Sequence, residues 1–480
     1  MKDKLKYLGK NTLLFALSSF STKILLFLLV PLYTSVLTTA EYGTADLITT
    51  TASLLIYVLT LNIADAVTRY TLDIQYQVED KNRRLEKKFK QESILSYGNK
   101  VILISTLICS LILGIVYWSN QLSWPVYYYF FIVAYFFATA FYQLLSNYLR
   151  GIDRVSAVAI SGVLSSLIAI ICNILFLVVF KLGIVGYLLA MILGPIGASV
   201  YSICIIGASV KVYLFNTCSK SLQKEMLQYC IPLIFNNVAL WINASLDRYF
   251  VTGMCGIRQN GIYSVAMKIP TILAVFYSVF GQAWNLSAIK DFDSEDKDGF
   301  FGKTYTIYNA TMVVLCSLLV LLNIPLAKFL YSKDFFLAWN YSSILLISTL
   351  FNALTMFIGS VFSAVKRTKV IAWTTVISAI INTLLNIVLI PFIGALGAAI
   401  STVVSYAVMW GIRLVYSRKY ITFKVNLFRD IIAYFLLCLQ VVFEHTENHL
   451  YLGQILCILL IILIYRKYLS SAIQKIYNRG

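Results

Sequence analysis

Run after run of this chain stays apolar for about 20 residues, the length a helix needs to cross about 30 Å of hydrocarbon. Fourteen such runs can be placed: 11–36, 44–72, 97–117, 125–147, 155–180, 183–208, 227–253, 260–287, 304–323, 340–364, 370–391, 394–416, 428–443 and 450–468. The run 428–443 is the weakest, short enough to lie along the membrane interface. Only 12% of the 480 residues are charged, where soluble domains carry about a quarter. The expectation is an all-α polytopic membrane protein of about 14 transmembrane helices. No stretch between the runs is long enough for a soluble domain, so whatever the chain does happens in or across the membrane.

A net charge of +18 would suit a nucleic-acid partner, but its distribution argues otherwise. With the N terminus inside, 29 of the 39 Lys and Arg fall on the terminal and even-numbered connections or at the run ends that border them, including "KNRRLEKKFK" (81–90). Four fall on the opposite side: Lys181, Arg258, Lys328 and Lys333. That asymmetry is the positive-inside rule, and it places both termini in the cytoplasm. The first run is too long for a signal peptide and is read as a retained helix. Nine cysteines are scattered without C-x-x-C spacing and read as small apolar packing residues, not as a disulfide framework or metal site.

An internal repeat is legible. "CNILFLVVFKLGIVGYLLA" (172–190) resembles "LNIVLIPFIGALGAAIS" (385–401), each with an Asn near the end of one run and G-x-x-G opening the next; the second copy is two residues shorter. Earlier, "EYGTADL" (41–47) corresponds to "QNGIYSV" (259–265). Two pseudo-symmetric six-helix bundles follow, 1–210 and 225–418, joined by a cytoplasmic linker, 211–224. Two extra helices and a tail occupy 419–480. Equivalent helices are separated by an even number of spans, so the bundles share one orientation, as in transporters built from parallel repeats.

Polar side chains concentrate in the first two helices of each half. "LNIADAVTRY" (61–70) places Asn62, Asp65 and Arg69 at i, i+3, i+7. Lys23 lies in the first run. Asn236, Asn243 and Asp247 share a face of the seventh, flanked by Asn237 and Arg248; Lys268, Gln282 and Asn285 lie on the eighth. Each ionised side chain facing lipid at mid-helix costs about 2.5–3.5 kcal/mol, so six of them (Lys23, Asp65, Arg69, Asp247, Arg248, Lys268) would cost roughly 15–20 kcal/mol. The sequence therefore predicts that they line a polar cavity between the halves or pair with one another, Asp65 with Arg69 at i, i+4 among the pairings open. Four cations against two acids make that cavity positive, which points to an anionic substrate such as a diphosphate. Pro31, Pro195 and Pro270 interrupt runs where bending is expected.

These residues resemble the polysaccharide-transporter branch of the MOP (MATE-like) exporter superfamily, and within it the Wzx-type flippases of lipid-linked oligosaccharides. The resemblance spans the first twelve runs and rests on "NTLLFALSSFSTKILLFLLVPLYTSVLTTAEYGTADL" (11–47), "LDRYFVTGMCGIRQNGIYSVAMKIP" (246–270) and the Asn/Gly pair ending each half. It implies alternating access around a central cationic cavity in the cytoplasmic (inner) membrane of a bacterium. The cargo would be an oligosaccharide on a polyprenyl diphosphate, carried to the outer leaflet for surface polysaccharide such as O-antigen or capsule. Lys23, Arg69, Arg248 and Lys268 would then hold diphosphate or acidic sugars. Asn236, Asn237, Asn243, Gln282 and Asn285 would meet sugar hydroxyls, and Asp65 or Asp247 would couple to H⁺ or Na⁺. A polysaccharide polymerase and glycosyltransferases are the partners implied, with no cofactor.

Three rival readings remain open. A peptidoglycan-precursor flippase would also carry a cationic cavity, whereas a MATE-type antiporter of cationic drugs calls for an acidic, aromatic one. A membrane glycosyltransferase would need the D-x-D of "DFDSEDKDGF" (291–300) to bind a metal–nucleotide complex, but no nucleotide-binding domain accompanies it. That stretch also fails as an EF-hand loop, and reads as a solvated acidic loop. His445 and His449 have ligand-compatible spacing without a third ligand. No nucleophile–base arrangement or phosphate loop is present, and the chain is read as a non-enzyme.

Overall fold

The computed structural model describes residues 27–77, 84–119, 124–207, 218–290, 292–446 and 450–477. In chain order the α-helices are α1 (Val30–Val36), α2 (Thr39–Leu59), α3 (Ile63–Gln77), α4 (Arg84–Trp118), α5 (Val126–Gly151), α6 (Val155–Asn173), α7 (Gly183–Ile206), α8 (Lys220–Cys255) and α9 (Ile257–Ala266). They continue as α10 (Lys268–Lys290), α11 (Phe300–Leu321), α12 (Asn323–Leu330), α13 (Trp339–Ala364), α14 (Thr368–Ile393), α15 (Ala395–Ser417), α16 (Leu427–Glu444) and α17 (Tyr451–Tyr477). Among the described residues, twelve helical spans are long and apolar enough to cross a membrane. The run 11–36 lies largely outside the described residues. The run 428–443 does form a helix, α16, but one that carries Arg429, Asp430 and Glu444.

Two runs expected to be continuous are broken. The run 44–72 stops at Leu59, and Leu61 and Asn62 both take left-handed backbone angles, φ 53° each. That conformation is uncommon outside glycine, and it starts α3 as a separate helix. The run 260–287 divides at Met267 into α9 and α10. Pro270 accounts for this second break, because its ring crowds the carbonyl four residues back and it has no N–H to give. Pro195, by contrast, sits inside a continuous α7.

The chain divides into two compact units, one of residues up to Leu37 with Thr44–Trp241, the other of Thr38–Gly43 with Ile242–Gly480. The division falls within α8, and α16 and α17 belong to the second unit. In the first unit α7 packs on α6 and α5, while α3 packs on α4 and α5. In the second, α15 packs on α13 and α14, α13 on α10, and α11 on both α16 and α17.

The repeat has matching backbone. Gly183 and Gly394, which open the G-x-x-G of each copy, both lie in the left-handed region, at φ 56° and 61°. The longer first copy takes a π-helical turn, Ile174–Val179, directly after Asn173. The second runs on as α-helix from Asn386 to Ile393. All nine cysteines are free thiols.

Candidate substrate site

In the first unit, α3 carries the residues of "LNIADAVTRY" past the break at Leu61. Asn62 is buried, its carbonyl facing the Cys230 thiol at 3.7 Å, and its Nδ2 has no hydrogen-bond partner. Asp65 and Arg69 are exposed. Arg69 Nε pairs with Asp73 Oδ2 at 3.3 Å, so its partner is the acid one turn on and not Asp65. The Arg69 side chain is 57% exposed, which leaves the rest of its fork available. On α8, Asn236 and Asn237 are half-buried, the first donating to the second at 3.4 Å. Lys23 lies outside the described residues.

In the second unit the α8 stripe turns inward. Asn243 is 3% exposed and both ends of its amide are occupied: Nδ2 donates to the Thr375 carbonyl at 3.0 Å and Oδ1 accepts from Ser378 Oγ at 2.8 Å. One turn on, Asp247 is 2% exposed. Its Oδ2 accepts from Tyr263 OH at 2.6 Å and its Oδ1 from the Arg248 amide at 2.9 Å. Arg248 and Lys268 are only half-buried, and Lys268 Nζ lies 6.0 Å from the centre of the Tyr42 ring. Asn285 is exposed, and the side chain of Gln282 lies outside the described residues.

The acid of α8 is therefore folded onto a tyrosine while the neighbouring cations stay nearer the surface.

Reasoning from sequence missed the most buried cation among the described residues. Arg413 on α15 is 2% exposed. Its guanidinium donates to Thr374 Oγ1 at 2.9 Å, the Thr355 carbonyl at 3.2 Å, the Ile371 carbonyl at 3.1 Å and Thr375 Oγ1 at 3.0 Å. These neutral acceptors tie α15 to α13 and α14. The energetic rule that singled out Lys23 applies equally to an arginine in the run 394–416, so the signal was present. Asp430 was missed as well. It is fully buried and accepts from Arg429 Nη2 at 2.8 Å and from Tyr465 OH at 2.8 Å. With Gln440–Ser317 and Asn323–Glu444, it forms a polar seam along α16.

The acidic loop is a capping device. Asp293 accepts the amides of Glu295 and Lys297 at 3.1 and 2.9 Å, and Asp296 those of Phe301 and Gly302 at 2.9 Å each, at the start of α11. The ring nitrogens of His445 face the carbonyls of Val441 and Asn340, and His449 lies outside the described residues. Among the described residues no cluster of three or more His, Cys, Asp or Glu is placed to hold a metal.

The model of a family described as "Polysaccharide biosynthesis protein" matches residues 8–285, more than half of the chain. No curated protein matches by sequence. Among solved structures, the chain is similar to the lipid II flippase MurJ in an inward closed conformation, with TM-score 0.69 at 15% identity, covering 96% of this chain and 99% of that one. It is also similar to an inward-facing multidrug resistance MATE family transporter of the MOP superfamily, with TM-score 0.61 at 14% identity, covering 83% and 97%. A third is a MOP superfamily transporter from Pyrococcus furiosus described by the reverse polarity of its binding pocket, with TM-score 0.57 at 13% identity, covering 86% and 95%. At these identities the likeness is one of fold.

Proposed function

Because the chain belongs to the polysaccharide biosynthesis protein family, we propose that it is a flippase for polyprenyl-diphosphate-linked oligosaccharides. It moves repeat units from the cytoplasmic to the outer leaflet by alternating access, in a bacterial inner membrane, with both termini in the cytoplasm. The lipid tail stays in the bilayer while sugars and diphosphate pass along the cationic side chains. The product feeds surface polysaccharide such as O-antigen or capsule, through a polymerase and glycosyltransferases acting on the same lipid.

The observation that carries this reading is the sign of the available charge. Among the expected site residues, Arg69, Arg248 and Lys268 remain wholly or partly exposed against one exposed acid, Asp65, whereas Asp247 is buried against Tyr263. A diphosphate needs several cations and Arg offers it forked contacts. An organic cation would need the carboxylate instead. Asp247 and Asp65 are the coupling groups in this proposal, taking H⁺ or Na⁺. A peptidoglycan-precursor lipid is the second reading, favoured by the near-complete overlap with the lipid II flippase.

The test is translocation of a fluorescent polyprenyl-diphosphate oligosaccharide in proteoliposomes. Wild type transports it, and Arg248→Ala and Lys268→Ala lose transport while retaining the wild-type melting temperature. Efflux of organic cations with no movement of any diphosphate lipid would overturn the proposal. Preference for lipid II over oligosaccharide lipids would establish the second reading.

A further inference from the structure

In the second unit Lys268 opens α10 at a place that other elements fix. Pro270 has no N–H to offer the Ala266 carbonyl four residues back, and Ser342 Oγ donates to that carbonyl instead, at 3.0 Å. Tyr331 OH donates to the Val265 carbonyl at 3.1 Å. The break between α9 and α10 is thus closed by side chains from outside both helices. Tyr42 is fixed from its own side. Thr38 and Glu41 form a capping box at the start of α2: Glu41 Oε2 accepts from the Thr38 amide at 2.8 Å and from Thr38 Oγ1 at 2.9 Å, while Thr38 Oγ1 accepts from the Glu41 amide at 3.2 Å. The Asn260 amide holds the Gly43 carbonyl next along. The Tyr42 ring is buried and meets Phe335 edge to face, with centroids 5.8 Å apart.

The Lys268 ammonium lies 6.0 Å from the centre of that ring, at the outer reach of a cation–π contact. Among the described residues it makes no hydrogen bond and no ion pair. The acid beside Tyr42 in the chain, Glu41, is already spent on the cap. Lys268 therefore differs from the other charges of the candidate site. Arg69 is paired with Asp73 and Asp247 accepts from Tyr263, whereas Lys268 keeps all three N–H. A ring attracts a cation through its quadrupole and takes none of its charge. A half-buried ammonium with three donors and no acceptor is incomplete, and an anionic group completes it.

We propose that Tyr42 is a positioning residue, whose ring holds the Lys268 ammonium charged and unpaired for the anionic group of the transported molecule. This rests on the functional reading above, in which that group is a diphosphate. An acid in place of the ring would neutralise the lysine, and an aliphatic side chain would release it.

The experiment measures binding of the fluorescent polyprenyl-diphosphate oligosaccharide to the full chain in detergent, by polarisation. Tyr42→Leu binds about three- to thirtyfold more weakly than wild type, the range of a cation–π contact. Tyr42→Phe restores the ring and binds within about twofold of wild type. Added to Lys268→Ala, Tyr42→Leu costs less than about twofold more, because it acts through the lysine. Equal loss in the Leu and Phe variants, no loss in either, or losses that multiply in the double variant would overturn the proposal. A second readout needs no variant of Tyr42. Lysines of wild type are reductively methylated with ¹³C-formaldehyde, which keeps their charge, and the Lys268 signal is assigned by its absence in Lys268→Arg. Its methyl resonance is expected upfield of those of solvated lysines, shifted by the Tyr42 ring current; a resonance among the solvated ones removes Tyr42 from its role, even where Tyr42→Leu melts below wild type. If wild type binds no diphosphate lipid, the functional reading fails, and the upfield resonance alone decides whether Tyr42 holds Lys268.

Discussion

Gly43 and Gly261, which hold the same place in the two copies of the repeat, are pressed together in the second unit. A Cβ on Gly43 would lie 2.9 Å from the Gly261 amide nitrogen and would run into the Ile257 carbonyl, and one on Gly261 would run into the Thr39 carbonyl. The neighbouring Asn260 amide donates to the Gly43 carbonyl at 3.2 Å. The atoms in the way are backbone, so they cannot swing aside. Gly43→Ala and Gly261→Ala are each expected to destabilise the protein by about 1–3 kcal/mol, as overpacking does. Melting in detergent measures this, and wild-type stability in both variants would mean that the crossing is looser than described.

Arg69 and Asp73 separate stability from transport. Both are partly exposed, so their ion pair contributes at most about 1 kcal/mol, and Arg69→Ala and Asp73→Ala should melt close to wild type. Transport of the fluorescent lipid should fall in Arg69→Ala and persist in Asp73→Ala. Equal loss in both would make the pair itself the requirement and would remove Arg69 from the list of substrate contacts.

Arg413 gives the opposite pattern. Arg413→Met removes the four charge-assisted hydrogen bonds that tie α15 to α13 and α14, a loss of about 2–5 kcal/mol. Arg413→Lys keeps the charge but not the fork and should fall between. Unfolding in denaturant compares the three; a methionine variant as stable as wild type would show that these hydrogen bonds add no net stability.

Asp293 sets a pH dependence at the acidic loop. The amides of Lys297 and Glu295 hold its carboxyl below the ordinary carboxylate range. A depressed folded-state value stabilises the loop above the unfolded value of about 3.9, and that contribution is lost as pH falls through the folded value. Hydrogen exchange at the Glu295 and Lys297 amides, corrected for intrinsic rates, should be level from about pH 5 to 8 and lose protection below about pH 4. Asp293→Asn should flatten that response. An unchanged acid response in the variant would transfer the effect to another carboxylate of the loop, such as Asp296, which accepts the amides that open α11.

The apolar runs and the repeat could both be read from residues in order, because each depends on local periodicity or on counting. Gly183 and Gly394 show how far that reaches: matching letters in the two copies became glycines of matching positive φ. The sequence also singled out charged residues within the runs, since the cost of a charge in hydrocarbon applies wherever the charge sits along a span. What it could not supply was partner choice. Arg69 had two acids in helical register, Asp65 and Asp73, one turn to either side on the same helix, and its side-chain conformation selects Asp73. Asn243 and Asp247 carry the same letters whether they face a sugar or Thr375, Ser378 and Tyr263, which lie 16 or more residues away. Arg413 and Asp430 likewise depend on partners brought from other helices. Helix formation is decided within a few residues, but the satisfaction of a buried polar group is decided by whatever the packed neighbours present to it, and only the tertiary structure holds that information.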